Sequence, residues 1–160
     1  AVVIATAGSD EKCAFARTLG ADLAINYRDQ DFFAAVKEFT GGKGVDVVYD
    51  GVGKATFEPS LDCLRPRGLM VSFGNASGPV SVPSLGILAT KGSLYVTRPT
   101  SGAYFPDASS LRTAASALFK AIADGTLTIE IGQRLPLTEA AEAHRLLEAR
   151  QTTGATLLIP

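Results

Sequence analysis

The 160-residue sequence predicts an α/β protein with a doubly wound parallel sheet. Short apolar runs rich in β-branched residues alternate with segments of helical period, the pattern of βαβ units. Residues that favour helix N-caps, such as Ser9, follow some of these runs. Glycines follow others, as Gly51 and Gly53 follow the run Val45–Asp50. Both kinds of residue, N-cap residues and glycines, are typical of the tight turns that join strands to helices.

The first half of the chain begins with a largely apolar run, residues 1–7, predicted to be a strand buried on both faces. Ser9 then caps a helix that has Asp10 and Glu11 in its first turn, where the helix dipole favours acids, and that stops at Gly20. The elements predicted next are a strand at 23–25, a helix at 32–39 capped by Asp29, a strand at 45–50, a helix near 56–64 and a strand at 68–73.

The second half opens with residues 75–83, which are rich in Gly, Ser and Pro and predict a loop. The pattern then predicts a helical turn at 85–89, a strand at 93–97, a loop at 100–106 and a long core-facing helix at 108–124. The tail predicts a strand near 128–131, a helix at 139–150 capped by Thr138, and a last strand at 155–159.

Composition excludes several functional classes. The net charge is −1 and the pI is about 5.8, so no bulk electrostatic attraction to nucleic acid or to an anionic membrane is expected. No run approaches the roughly 20 apolar residues that span a bilayer. Two cysteines are too few for a disulfide framework, which favours a reducing compartment.

The carboxyl ends of the strands are the candidate ligand-binding positions, because open parallel sheets bind ligands there. The dinucleotide fingerprint GxGxxG is absent, and Gly51-Val52-Gly53 lacks the third glycine. The first strand ends without the acid that binds a ribose hydroxyl in NAD sites. Gly8, with Lys12 one turn into the helix, would suit a phosphate, provided that Asp10 and Glu11 point away. On this local pattern alone, a capped helix with solvated charges is favoured over a phosphate site.

Later strand ends carry further candidates. Tyr27 would stack on a base or bind a phosphate, with Arg28 adding charge, although a surface tyrosine fits as well. Asp50 is placed like a general base, but the sequence gives it no partner and we do not expect catalysis from it. Backbone groups at 73–75 and 96–98 would suit a carboxamide.

Metal and nucleophile chemistry find no support in the sequence. Cys13, Cys63 and His144, the sole histidine, are widely separated and lie on predicted helices. Structural zinc sites use four ligands, often paired at short spacing. No Ser-His-acid arrangement can be proposed. We therefore predict no metal ligands and no catalytic side chain in this chain.

Longer motifs carry a resemblance to a known family. INYR, GGKGVDVVYDGVG, SLDCLRPRGLMVSFGNASG, LGILATKGSLYVTRP and the tail AHRLLEARQTTGATLLIP occur in this order. They resemble the zinc-independent quinone oxidoreductases of the medium-chain dehydrogenase/reductase superfamily. The resemblance implies a longer enzyme in which a GroES-like catalytic domain and the first Rossmann βα unit precede this chain. Residues 1–99 would be the second to sixth strands of an NADP-binding Rossmann domain, and 100–160 would return toward the catalytic domain.

The resemblance also implies roles for individual residues. Gly8, Lys12 and Tyr27 match positions that bind the 2′-phosphate of NADP(H), and Arg150 matches a residue that reaches this phosphate from the tail. Because Lys12 and Tyr27 both match, we favour NADP(H) binding over a simple capped helix. Val52 matches a contact along the cofactor. The positions that match the nicotinamide lining are Phe73, Gly74, Asn75, Val96 and Arg98.

The implied reaction is metal-independent hydride transfer from NADPH to a small-molecule quinone, in a cytoplasmic homodimer that pairs its cofactor-domain sheets edge to edge. This chain alone is expected to be inactive. An enoyl or other alkene reductase of the same superfamily is one alternative. A non-catalytic homologue, crystallin-like or RNA-associated, is another, although the near-neutral charge gives RNA binding no support.

Overall fold

A computed structural model describes every residue of the chain, Ala1–Pro160, as two units: Ala1–Tyr104 and Phe105–Pro160. Strands and helices alternate in the first unit, as the sequence predicts. Its elements are β1 (Ile4–Ala7), α1 (Asp10–Thr18), β2 (Leu23–Asn26), α2 (Phe32–Phe39), β3 (Val45–Asp50), α3 (Phe57–Asp62), β4 (Leu64–Ser72), α4 (Gly86–Thr90), β5 (Tyr95–Thr97) and α5 (Ser101–Tyr104).

The strands of the first unit form two hydrogen-bonded groups. β1 pairs with β2, and β3, β4 and β5 pair in that order, with every pairing parallel. The α/β class with parallel strands is thus confirmed. β1 and β3 are each an edge strand and share no ladder, so the sheet is interrupted between them. This agrees with the expectation of a sheet that is incomplete at its N-terminal side, because the first Rossmann strand is expected to precede this chain. The outer edge of β3 leaves Tyr49 73% exposed, although the sequence predicts a buried strand.

An apolar cluster joins the two groups of strands in place of hydrogen bonds. Its buried members are Ile25 of β2, Val36 of α2 and Cys63, which follows α3. Ile4 of β1 and Val45 of β3 pack against them from the two groups. β1 is therefore held by its ladder with β2 and by the contact of Ile4 with this cluster, which is favourable in proportion to the apolar area removed from water.

A second apolar cluster lies under the three-stranded sheet. Leu61 of α3 and Met70 of β4 have no solvent exposure, and Leu94 before β5 is 6% exposed. Phe57 and Leu64 complete the buried set. This core fixes the carboxyl ends of β3, β4 and β5, where the candidate site residues lie.

Local differences from the predicted elements have identifiable causes. Asp31, not Asp29, caps α2, since its Oδ1 accepts hydrogen bonds from the N–H groups of Phe33 (2.9 Å) and Ala34 (3.3 Å). Asp29 instead accepts from Asn26. The predicted loop at 100–106 contains the short helix α5. β4 begins four residues earlier than predicted, at Leu64.

The second unit contains α6 (Ala108–Ala123), β6 (Ile131–Pro136), a 3₁₀ turn (Leu137–Glu139), α7 (Ala140–Glu148) and β7 (Ala155–Ile159). Asp107 and Ser110 form a reciprocal capping box at the start of α6. β6 and β7 pair in parallel. The strand predicted near 128–131 begins only at Ile131, and Thr138 lies inside the 3₁₀ turn rather than capping a helix. None of the helices has the length and hydropathy that a membrane crossing requires.

Candidate functional site

Asp50 organises the turn that follows β3. Its carboxylate is buried and accepts four hydrogen bonds. The N–H groups of Val52 (2.8 Å) and Gly53 (2.9 Å) donate to Oδ1, and the hydroxyls of Thr56 (2.7 Å) and Ser60 (2.9 Å) donate to Oδ2. A carboxylate that is followed by a short glycine turn is well placed to bond the N–H groups two and three residues ahead of it.

Those hydrogen bonds decide the charge state of Asp50. Burial alone would raise the pKa of its carboxyl, but the donors at Gly53, Thr56, Ser60 and Val52 stabilise the anion and hold that pKa below its ordinary value. Asp50 is therefore ionised at neutral pH. A carboxylate so fully hydrogen-bonded as an anion is a weak proton acceptor. That Asp50 is not a general base stays a prediction.

The glycine turn itself is not a phosphate cradle. The N–H groups of Val52 and Gly53 donate to Asp50, and the carbonyl of Val52 accepts from the N–H and the hydroxyl of Ser77 (2.8 Å each). Asp50 thus occupies the position that a bound anion would take. The backbone of Val52 is thus fully hydrogen-bonded, and only its side chain can contact a ligand. Val52 is 39% exposed.

The segment after β4 packs directly on this turn. The N–H groups of Phe73 (2.9 Å) and Gly74 (3.3 Å) both donate to the carbonyl of Asp50. A Cβ at position 74 would overlap the carbonyl of Gly51, so only glycine allows the two backbones to approach this closely. The Phe73 ring lies over Gly51 and is 55% exposed. An exposed aromatic ring is thus held on a rigid support.

Arg98 connects the end of β5 to the same segment. Its Nη1 donates to the carbonyls of Ser72 (3.0 Å) and Gly74 (3.1 Å) and to Oδ1 of Asn75 (3.3 Å). Guanidinium groups are planar multiple donors suited to such bridging. Within residues 73–75, the N–H of Asn75 and the carbonyl of Phe73 form no hydrogen bond.

A separate group of polar side chains lies at the ends of β1 and β2. Ser9 caps α1, and its hydroxyl accepts from the N–H of Lys12 (3.3 Å). The place of a Cβ on Gly8 lies 2.9 Å from the hydroxyl oxygen of Tyr27 and 3.5 Å from Nε of Arg28. A side chain at position 8 would displace the tyrosine. Because Gly8 has no side chain, its backbone lies close to the Tyr27 hydroxyl and the Arg28 guanidinium. These groups lie at the start of α1, and a helix N-terminus favours anions.

Asn26, the last residue of β2, controls the acids beside this group. Its Nδ2 donates to Oδ1 of Asp10 (3.0 Å) and to Oδ2 of Asp29 (2.6 Å), and its Oδ1 accepts from the N–H of Arg28 (3.2 Å). The Asp10 carboxylate is therefore bonded to the end of β2.

The structure brings together most of the residues that the sequence singles out. Gly8 and Tyr27 are in contact range, and Val52, Phe73, Gly74, Asn75 and Arg98 surround the ends of β3 to β5. Val96 lies on β5, opposite Met70, and is 39% exposed. Arg150 belongs to the second unit, where it follows α7 with φ at 60°. The cofactor roles of these residues, and of Lys12, stay predictions.

Sequence reasoning gives three residues less weight than the structure does. Asn26, at the end of a predicted strand, receives no role because its partners are 16 residues upstream and three downstream. Asp50 was given no partner because its partners are backbone N–H groups and the hydroxyls of Thr56 and Ser60. Its place between a β-branched run and two glycines was the available signal. Arg28 was noted only for its charge.

Cys63 is a buried thiol of low reactivity. Burial raises the pKa of its thiol to about 11, with Lys37 opposing the shift. It is consequently protonated at neutral pH, and thiolates are the form that binds metals and attacks electrophiles. Cys13 is also buried and unpaired. No group of three or more His, Cys, Asp or Glu residues is arranged to hold a metal ion.

Parallel βα units, with glycine turns and polar side chains gathered at the carboxyl ends of the strands, define a Rossmann-like α/β protein. Comparison with known sequences narrows this class. A sequence profile described as "Zinc-binding dehydrogenase" matches residues 1–117. The chain belongs to that family.

Individual relatives match over the whole chain. It is 54% identical to a quinone oxidoreductase of Pseudomonas aeruginosa, over 99% of this chain and 49% of the relative. It is 45% identical to a 2-haloacrylate reductase of a Burkholderia species, over 100% and 48%. The crystal structure of Escherichia coli quinone oxidoreductase complexed with NADPH superposes with a TM-score of 0.94 at 50% identity, over 99% and 49%.

These matches confirm the resemblance to quinone oxidoreductases that the motifs indicate. The chain spans about half the length of the curated relatives it matches. The qualifier "zinc-independent" is not tested by them and stays a prediction.

Proposed function

We propose that the complete natural polypeptide containing this chain, hereafter the full-length protein, reduces quinones by hydride transfer from NADPH. One observation carries the cofactor assignment: the Tyr27 hydroxyl and the Arg28 guanidinium lie close to the Gly8 backbone at the start of α1. A relative of known structure, the E. coli quinone oxidoreductase, is described as complexed with NADPH. Relatives at 50–54% identity are named quinone oxidoreductases.

The donor set at the ends of β1 and β2 fits a phosphate group. Gly8 lacks the Cβ that would fill the space beside Tyr27 and Arg28. Lys12, one turn into α1, would add a cation, and the resemblance assigns a further cation to Arg150. Charge-assisted hydrogen bonds of this kind are worth roughly 1.5–3 kcal/mol each. The proposed phosphate-binding residues are therefore Gly8, Lys12, Tyr27 and Arg150, with Arg28 now added.

The ends of β3, β4 and β5 fit the nicotinamide end. The two backbone groups of residues 73–75 that form no hydrogen bond are one donor, the N–H of Asn75, and one acceptor, the carbonyl of Phe73. A carboxamide presents the complementary acceptor and donor. The proposed lining consists of Phe73, Gly74, Asn75, Val96 and Arg98, with Val52 contacting the cofactor along its length.

In this proposal the bound NADPH supplies the hydride, and the protein orients the ring and excludes water. Arg98 and Asp50 keep the segment 73–75 in place, and the Phe73 ring covers apolar ligand surface. We assign no general acid or base. We propose that the reaction is metal-independent, as the resemblance implies, and that neither Cys63, whose thiol is held protonated, nor the buried Cys13 supplies a ligand.

An NADPH oxidation assay at 340 nm with 1,4-benzoquinone tests the function. The full-length protein is expected to turn over the quinone, and Lys12→Ala is expected to weaken NADPH binding by about tenfold or more while NADH binding changes little. Lys54→Ala, which removes another exposed lysine from the same unit, is the matched control and should have no effect. No turnover, or equal loss for both nucleotides, would contradict the proposal.

A specific relative favours a second substrate class. The 45% identical 2-haloacrylate reductase carries a name that denotes reduction of an activated alkene. Assaying 2-chloroacrylate and an α,β-unsaturated thioester beside the quinone distinguishes the two. A kcat/KM for an alkene well above that for every quinone tested would replace the quinone proposal by an alkene reductase.

We also propose a homodimer that pairs β5 edges, in a reducing compartment such as the cytoplasm. β5 is the last strand of its sheet, with Tyr95 61% and Val96 39% exposed, and exposed apolar edges are aggregation-prone unless covered. Two buried free thiols suit a reducing compartment. Light scattering on the full-length protein and its Tyr95→Lys variant tests the dimer, which the variant should dissociate. A monomeric parent protein, or a variant that stays dimeric, would contradict it.

A further inference from the structure

Asn26 uses every hydrogen-bonding group of its side chain. Its amide nitrogen donates two hydrogen bonds, one to Asp10 Oδ1 (3.0 Å) and one to Asp29 Oδ2 (2.6 Å). Its oxygen accepts from the N–H of Arg28 (3.2 Å). The side chain is only 7% exposed, whereas Asp10, Arg28 and Asp29 are all exposed. A buried neutral amide therefore anchors two surface carboxylates and the backbone of an arginine.

These contacts set the charge around the start of α1. Asp10 is in the first turn of the helix, where the dipole attracts its carboxylate toward the N-terminus. That is also where a phosphate beside Gly8 would lie, and like charges at close range disfavour each other. The hydrogen bond from Asn26 restrains Asp10 at the end of β2. The bond to the N–H of Arg28 fixes the backbone that carries the guanidinium beside Gly8.

We propose that Asn26 is a positioning residue that makes the site selective for a 2′-phosphorylated dinucleotide. It does so by restraining the Asp10 carboxylate and by holding Arg28 next to Gly8. The inference rests on the proposed function, since it concerns the same phosphate. An aspartate at position 26 would have no proton to donate at neutral pH and would place a third carboxylate against Asp10 and Asp29. An aspartate could therefore not replace Asn26 in this role.

The test is the ratio of dissociation constants, Kd for NADH divided by Kd for NADPH, measured by titration calorimetry on the full-length protein. The two nucleotides differ only in the 2′-phosphate. A purely structural defect weakens both and leaves the ratio unchanged. Asn26→Ala is expected to lower the ratio by about tenfold, the effect of an unrestrained charge close to the phosphate. Asp29→Asn, which removes the other carboxylate bound by Asn26, should not lower it.

A double-mutant cycle identifies Asp10 as the restrained charge. In the parent protein, Asp10→Asn should change the ratio by less than about threefold, because the carboxylate is already restrained. In the Asn26→Ala background, the same substitution should raise the ratio by about threefold or more, and the part that is not recovered reflects the loss of the hold on Arg28. No recovery at all, or equal loss of NADH and NADPH affinity in Asn26→Ala, would overturn the proposal.

A variant at an exposed residue tests the proposal without removing the buried amide of Asn26. Arg28→Gln alters an exposed side chain and should lower the ratio by about tenfold, as expected for loss of a charge-assisted phosphate contact. An unchanged ratio would overturn the part of the proposal that concerns Arg28. A parent ratio near one would overturn the proposed cofactor and this inference together. A high parent ratio that does not respond to Asn26→Ala would overturn the inference alone.

Discussion

Replacing Asp50 by asparagine is expected to lower the free energy of unfolding by about 1–2 kcal/mol at pH 7. The amide oxygen can replace Oδ1 and keep the bonds from Val52 and Gly53. The amide nitrogen then faces the hydroxyls of Thr56 and Ser60, which can turn to accept. The variant loses the charge assistance of four bonds, offset partly by the lower cost of burying a neutral group.

The pH dependence gives the prediction its sign. The pKa of Asp50 is lower in the folded protein than in the unfolded chain, where it is about 3.9. Its contribution to stability is therefore complete above about pH 5 and is lost as the pH falls through the folded-state pKa. The difference in unfolding free energy between the parent protein and Asp50→Asn should be constant from pH 7 to 5 and shrink below about pH 4.

Urea unfolding of the full-length protein, followed by circular dichroism between pH 3 and 7, measures this difference. Asp46→Asn is the matched control on the same strand. Its carboxylate is 78% exposed and paired with Nε of Arg65 at 2.6 Å, so the substitution should cost less than about 1 kcal/mol. No loss of stability in Asp50→Asn at pH 7, or a difference that grows as the pH falls, would refute the hydrogen-bonding account.

Three further substitutions test other parts of the fold. Gly74→Ala should destabilise the protein by about 1–3 kcal/mol, because its methyl group overlaps the Gly51 carbonyl. Gly102→Ala is the control and should not destabilise the protein, because its Cβ meets nothing within 4 Å. Equal urea midpoints for the two variants would contradict the predicted overlap at Gly74. In a Cys13→Ala background, Cys63 should react with a disulfide reagent at pH 8 only after urea unfolding, because its thiol pKa is about 11; prompt reaction of folded protein would contradict burial. Asp31→Ala should cost about 1 kcal/mol of unfolding free energy and Asp31→Asn only a few tenths, and equal losses would show that Asp31 does not cap α2.

Elements whose limits are local in the sequence were predictable. β3 is confirmed at both ends, because the β-branched run Val45–Asp50 is bounded by Gly44 and Gly51. The cap of α1 is confirmed at Ser9 for the same reason. α2 shows the limit of local reasoning. Asp29 and Asp31 are both suitable caps, and a contact from Asn26 on another element takes Asp29 away.

The arrangement of strands was less predictable than their existence. Alternating strands and helices indicate parallel pairing, but they do not show that β1 and β3 share no hydrogen bonds. Arg98 shows the same difficulty at the candidate site. Its partners Ser72 and Gly74 lie 24–26 residues upstream and are backbone carbonyls, which every residue has. No sequence motif distinguishes such a contact.

The comparison of NADPH with NADH binding by the unmodified full-length protein tests the central claim most directly. The 2′-phosphate is the only difference between the ligands. The residues proposed to bind it are Gly8, Lys12, Tyr27, Arg28 and Arg150. Titration calorimetry should give a Kd for NADPH at least about tenfold lower than that for NADH. Equal dissociation constants, or tighter binding of NADH, would contradict the account.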